Sequence, residues 1–301
     1  MLDCVAALAM TALVACCILL LPPDARAANE AAPAPDLALG AYQRGDYSTA
    51  KKEAKKRIDA NPRDAAALTL VGRLYLEGAG VARDLSLAME WFKRGADAGD
   101  GEAAYLYGAA ALNGAGAPKD RAVARAYLEK AAAQDRPAAL HLLGELALEN
   151  EGAPSDFGRA ADYFKRAAEK GNADSLYALG VLYKTGRGVA KDERVAADWF
   201  RRAAELDFAP AMVEFAVLQF NGVGVTRDRA AAVQWFRKAA AKGNAVAQNR
   251  LAHILAQGLG VDVNLAEARE WRDKSREAGL NDPSLDDLSN ASEPRKPAES
   301  K

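Results

Sequence analysis

What the chain has little of narrows it first. Its three cysteines, Cys4, Cys16 and Cys17, all lie near the start. The rest of the chain can therefore form no internal disulfide and no thiolate metal site, yet it would tolerate an oxidising compartment. Histidine occurs only twice, as His141 and His253, more than a turn or a loop apart, which argues against a His-based metal site. Neither charge is in excess, with 40 Lys+Arg against 41 Asp+Glu, and no basic run stands out. That balance excludes the electrostatic footprint of a nucleic-acid or membrane-surface binder. Aromatics make up only 7%, no segment reads as a strand, and no motif calls for a cofactor.

What is present is alanine. Half the residues are apolar, and much of that half is the best helix former, which also lets helices approach closely. The start is set apart from this. Val5 to Leu21 is a nearly unbroken apolar run, followed by Pro22, Pro23 and the small-residue site Ala25-Arg26-Ala27. That order reads as a secretory signal peptide over 1–27, cut after Ala27. Because Asp3 stands where Lys or Arg is usual, a mis-assigned start codon and an uncleaved anchor are the alternatives. Leu13-Val14-Ala15-Cys16 resembles a lipobox, but the apolar run continues past Cys16. Residues 28–35 read as a linker.

The main signal is a repeat. Gly72, Gly108, Gly144, Gly180, Ala216 and Ala252 recur with a period of 36 residues, and Asp84, Asp120, Asp156, Asp192, Asp228 and Asn264 follow in the same register. So do Trp91, Tyr127, Tyr163, Trp199, Trp235 and Trp271. Gly99, Gly171, Gly243 and Gly279 close four units, and Asp135 and Asp207 close the others. Repeats of this length mean stacked supersecondary units. The first column predicts close approach midway along a first helix. Pairs such as Gly78/Gly80 and Gly186/Gly188 end that helix, and the Asp column N-caps a second. The Trp/Tyr column is expected to be the large core knob of the second helix. Six such units span 65–279. Residues 36–62, with Gly45-Asp46 and Asn61-Pro62, read as a shorter tetratricopeptide-like pair that caps the N-terminal end. Residues 280–301, proline-rich and charged, read as a disordered tail.

Leu179-Gly180-Val181-Leu182-Tyr183, Gly186-x-Gly188-Val189, Asp192, Trp199-Phe200 and Ala203-Ala204 together resemble the Sel-1-like repeat, a relative of the tetratricopeptide repeat. The resemblance covers 65–279. It implies an all-α fold, a right-handed α/α superhelical solenoid of stacked antiparallel helix pairs. It also implies an adaptor or scaffold role in signalling or in assembling membrane-bound complexes, frequently after export to the periplasm. The second unit departs from the pattern at Ala117-Pro118, and the third at Asn150. The family's cysteine-rich branch staples each helix pair with a disulfide, which this chain cannot do.

Two short matches point toward penicillin-recognising serine enzymes: Ser48-Thr49-Ala50-Lys51 for S-x-x-K and Lys184-Thr185-Gly186 for K-T-G. Those enzymes need K-T-G on a strand and a third S-D-N element, so the expectation is that the chain is not an enzyme. On the first helices, positions −3 and +1 from the Gly/Ala column share a face by i, i+4 spacing. They vary from unit to unit: Thr69/Arg73, Tyr105/Ala109, His141/Glu145, Tyr177/Val181, Val213/Val217 and Asn249/His253. One reading makes them ordinary surface, with Tyr105 and Tyr177 packed between repeats. The other makes them a partner groove on the concave side, with Tyr105, His141, Tyr177, Arg73, Glu145 and His253 as its candidate contacts. The expected function is a periplasmic or secreted scaffold that binds a protein or peptide partner, possibly membrane-anchored. A cell-wall-related or β-lactam-binding hydrolase and a polysaccharide-binding scaffold are the alternatives.

Overall fold

The computed structural model describes residues 36–149 and 154–289. The leader, the linker, Asn150 and the chain from residue 290 onward lie outside the described residues. Helices α1 (Leu37–Gln43) and α2 (Tyr47–Ala60) form a short first pair. Then come α3 (Ala65–Glu77) with α4 (Leu85–Asp97), α5 (Gly101–Asn113) with α6 (Arg121–Ala132), and α7 (Pro137–Leu148) with α8 (Phe157–Glu169). The series continues through α9 (Ala173–Thr185) with α10 (Glu193–Glu205), and α11 (Ala209–Asn221) with α12 (Arg229–Ala241). It ends in α13 (Ala245–Gln257) with α14 (Leu265–Glu277). Each helix packs chiefly on its neighbours in the chain, and no strand occurs among the described residues. The product is an all-α solenoid whose apolar interior runs lengthwise from unit to unit.

Local chemistry sets the helix ends. Asp84, Asp192 and Asp228 adopt extended backbone, and their carboxylates accept the amides of Leu87, Val195 and Ala231. Each such cap is worth about 0.5–2 kcal/mol. Between units the chain turns through a left-handed residue, glycine at 99, 171, 243 and 279 but aspartate at 135 (φ 57°) and 207 (φ 68°). Aspartate is among the few side chains that tolerate this region. A second glycine in each inner loop serves packing. A Cβ on Gly188 would lie 2.3 Å from the backbone of Phe157, and one on Gly224 2.1 Å from that of Glu193. These are the first residues of the preceding unit's second helix, so the loop seats one unit on the last.

The core knob is one residue away from the Trp/Tyr column. Phe92, Leu128, Phe164, Phe200 and Phe236 are fully buried, whereas Trp199 and Trp235 are only partly so. Consecutive residues on a helix point about 100° apart, so only one of each pair can face inward. The buried side chain packs directly against the Gly column. A Cβ on Gly180 would meet the Phe200 ring at 2.5 Å, and one on Gly144 would meet Phe164 at 2.4 Å. The missing side chain thus makes room for the unit's own phenylalanine.

The expectation of an unpacked tail from residue 280 does not hold through Ser289. Pro283–Ser289 form a 3-10 helix whose Leu285 and Leu288 are buried in the core that ends the solenoid. The Leu280 amide donates to the Ser275 carbonyl at 2.9 Å, as those of Asp100, Asn172 and Asn244 do to the equivalent carbonyls of earlier units. Leu288 falls one period after Ala252. The segment therefore occupies the place of a seventh first helix and covers an end that would otherwise expose apolar surface.

Candidate functional site

The two long faces of the solenoid differ in how much they repeat. On the second helices, the partly buried aromatic of five units carries a cation from three residues on, and in the third unit Arg159, four residues before, lies 5.7 Å from Tyr163. Arg94 lies 4.3 Å from the Trp91 ring, Lys130 4.2 Å from Tyr127, Arg202 4.3 Å from Trp199, Lys238 4.4 Å from Trp235 and Lys274 4.3 Å from Trp271. These i, i+3 cation–aromatic pairs recur almost unchanged. A pattern shared by five units of six does little to distinguish one stretch of a partner from the next. The first helices carry the variation.

There, Tyr105, His141 and Tyr177 occupy equivalent places in α5, α7 and α9, each half-buried. Tyr177 rests 5.5 Å from the Phe200 ring and 5.6 Å from Phe208, and burial, then the charge of Glu214, pushes its phenol up. His141 lies 5.4 Å from the Phe164 ring. Its Nδ1 is 2.9 Å from the Ser175 hydroxyl of the next unit and its Nε2 is 3.5 Å from Glu145, which is exposed. Tyr105 packs on the core beneath α5. In the same column Thr69 and Val213 are buried, so the row of partly open side chains is interrupted at α3 and α11.

The +1 column makes contacts that the sequence reading missed. Arg73 pairs with Glu102 of the next unit, which also lies 3.8 Å from Arg136. His253 Nε2 sits 2.8 Å from Asp282. Both pairs join residues 29 apart, so the position six before the next Gly/Ala column is where a partner for +1 is found. That spacing was available in the sequence for Arg73. For His253 it was hidden, because Asp282 read as tail. Asp282 also accepts from Asn249 Nδ2 at 3.1 Å and from the Ser284 hydroxyl at 2.6 Å. Bonding to His253 first, then to Ser284 and Asn249, holds its carboxyl well below the usual range. Two further cross-unit bonds stand on this face: Lys184 to Glu214 at 2.7 Å, and the Tyr42 hydroxyl to Glu77 at 2.7 Å. Burial and then Glu77 push the Tyr42 phenol up to about 12.

Between α11 and α13 the face opens into a cleft of about 430 Å³, lined by Val217, Phe220, Val246, Arg250, Ile254 and Leu259 and closed by Asp282. Elsewhere the serine-enzyme matches are parts of helices. Ser48 is in the first turn of α2. Lys184 and Thr185 form the last turn of α9, where Thr185 Oγ1 donates to the Val181 carbonyl at 2.8 Å. Gly186 is the left-handed cap of that helix. Among the described residues, no group of three or more His, Cys, Asp or Glu could hold a metal. No helix among them is long and apolar enough to cross a membrane.

The Sel1 repeat family model matches six consecutive segments: 65–100, 101–135, 137–172, 173–208, 209–244 and 245–280. A search of curated proteins found no match. Among solved structures, a protective antigen of uropathogenic Escherichia coli strains with an SLR fold superposes with a TM-score of 0.75 at 30% identity. The match covers 81% of this chain and 53% of that one, so this chain spans about half that antigen's length. A Sel1 repeat protein from Oxalobacter formigenes gives a TM-score of 0.69 at 27% identity, covering 80% of this chain and 97% of that one.

Proposed function

The chain belongs to the Sel1 repeat family, and from that premise we propose that its first-helix face binds a protein partner outside the cytoplasm, in envelope signalling or in assembly of a membrane-bound complex. Repeats of this kind are scaffolds for protein–protein interaction. The observation that carries the choice of face is the row Tyr105, His141 and Tyr177. The three polar aromatics stand in the same place in successive units, each seated on the core with an edge left in solvent. Amphipathic rings of this kind are enriched where partners dock, because they bring large area at low entropic cost. Arg73, Glu145 and His253, one turn on, add contacts of alternating character that favour specificity over bulk affinity.

The deciding experiment captures partners from envelope extract with the wild-type chain and with Tyr105→Ala combined with Tyr177→Ala. Binding of the captured partner is expected to weaken about tenfold or more, while the helical circular dichroism is kept. Unchanged binding would move the site to the other face. Export is supported by the apolar leader and its small-residue site, and is checked by N-terminal sequencing. A start at Ala28 in the periplasmic fraction is expected. An intact Met1 held in the membrane would make the leader an anchor.

A further inference from the structure

We propose that the cleft between α11 and α13 takes a peptide segment of the partner in which an acidic side chain stands beside apolar ones. The inference rests on the reading that the first-helix face binds protein, and it names the partner's local chemistry.

The floor of the cleft is apolar, and Val246 on its wall leaves 48% of its surface open. A volume of about 430 Å³ lies within the range of roughly 300–1,000 Å³ typical of pockets that enclose a ligand. Val217 and Phe220 from one unit face Ile254 and Leu259 from the next, so a side chain entering here would be held by two units at once.

The charges of the cleft do not cancel. Its one acid, Asp282, is taken up by His253, Asn249 and the Ser284 hydroxyl. Glu214, at the position of the preceding unit equivalent to Arg250, is bonded to Lys184. One guanidinium group of the lining remains. Arg250, exposed on the rim, has no ion pair or hydrogen bond among the described residues. Outside the lining, Arg229 lies 5.0 Å from the ring of Phe220, and its buried Nε has no hydrogen-bond partner. The fold does not ask for a charge at position 250. The equivalent residues of the first four units are Leu70, Leu106, Leu142 and Ala178. An apolar cleft whose rim arginine lacks a carboxylate is complementary to a segment that supplies apolar side chains and a carboxylate, which arginine can grip through paired N–H donors.

The test pans a phage-displayed random peptide library on the full chain, then measures the enriched peptide, made synthetically with a fluorescent label, by anisotropy. The expected consensus places Asp or Glu next to Leu, Ile or Phe. Arg250→Glu should weaken that peptide about tenfold or more, as should replacing the peptide's acid by its amide, and added salt should weaken it too. Val246→Asp is the second variant, and it should weaken the peptide at constant circular dichroism. No enrichment, a basic or purely polar consensus, or equal affinity for Arg250→Glu would overturn the proposal. A peptide lost in the Tyr105→Ala, Tyr177→Ala double variant but not in Arg250→Glu would keep the face and overturn the cleft. A captured partner indifferent to all these changes would overturn the face itself.

Discussion

The fourth unit and the sixth are built on the same 36-residue frame and finish their interiors in opposite ways. In the fourth, Phe200 of α10 is wholly buried over Gly180, and the next unit's Phe208 and Met212 continue the apolar interior. In the sixth, the residue at the Phe200 position is Arg272, only 7% exposed, facing the column at Ala252. It donates Nε to Asp273 at 2.9 Å and Nη1 to the Leu285 carbonyl at 3.4 Å, while Arg269 Nε donates to the Leu288 carbonyl at 2.6 Å. Ser275, where other units have Ala or Gly, is buried and donates to the Leu280 carbonyl at 3.0 Å. A unit with another unit to follow fills its centre with an apolar side chain, a phenylalanine in all but the second, where it is Leu128. The unit that ends the stack places hydrogen-bond donors there, and they reach the carbonyls of the segment that follows.

The largest effect expected from this contrast is at Phe200. Phe200→Ala removes a fully buried ring from a site that glycine cannot refill, and should cost about 3–5 kcal/mol. Trp199→Ala, on the half-open side of the same helix, should cost about 1–2 kcal/mol. Urea unfolding of the two variants measures both. A larger loss for Trp199 would reverse the assignment of the core knob.

Next comes the terminal segment. Leu285→Ser with Leu288→Ser exposes the end of the sixth unit and should cost about 2–4 kcal/mol. Hydrogen exchange should show protection lost over α13 and α14, less over α11 and α12, and unchanged over α3 and α4, because units contact only their neighbours. Uniform loss along the chain would mean one global core. A smaller effect is expected from Arg272→Met, which keeps the volume and removes the donors, at about 1–2 kcal/mol. If Arg272→Met is neutral, the buried guanidinium is filler and the contrast with Phe200 is one of shape alone.

The smallest effect is at Asp282. Its carboxyl is held low in the folded chain, chiefly by His253, so what it contributes is present above its unfolded value of about 3.9 and is lost as pH falls through the lower folded value. The Ser284 amide, which donates to Asp282 at 3.0 Å, should therefore keep its NMR shift through mild acid and move only in strong acid. In Asp282→Asn the transition should be absent. A shift centred on the ordinary carboxylate range would mean that the bonds to His253 and Asn249 do not form in solution.

Much of this was legible in the chain. The period, the caps at Asp84 and its equivalents, the loop glycines and the stacked helix pairs all follow from local rules that one unit's sequence obeys by itself. Three features were not legible. That Phe200 rather than Trp199 faces inward depends on helix phase relative to a neighbour, and both residues are large and apolar. Charged, proline-bearing residues 280–289 looked unable to pack, because Leu285 and Leu288 are too few to signal a core until the end of a solenoid is there to receive them. The candidate site divides the same way. Tyr105, His141 and Tyr177 were visible as varying columns, but Arg250 became notable only once the cleft around it showed no free carboxylate to meet it. The sequence by itself determined the repeating unit, because capping and helix propensity act within a few residues of chain. Only the tertiary structure decided which ring is buried, how the stack ends and where charge is left unpaired, because each of those depends on what the adjacent unit brings into contact.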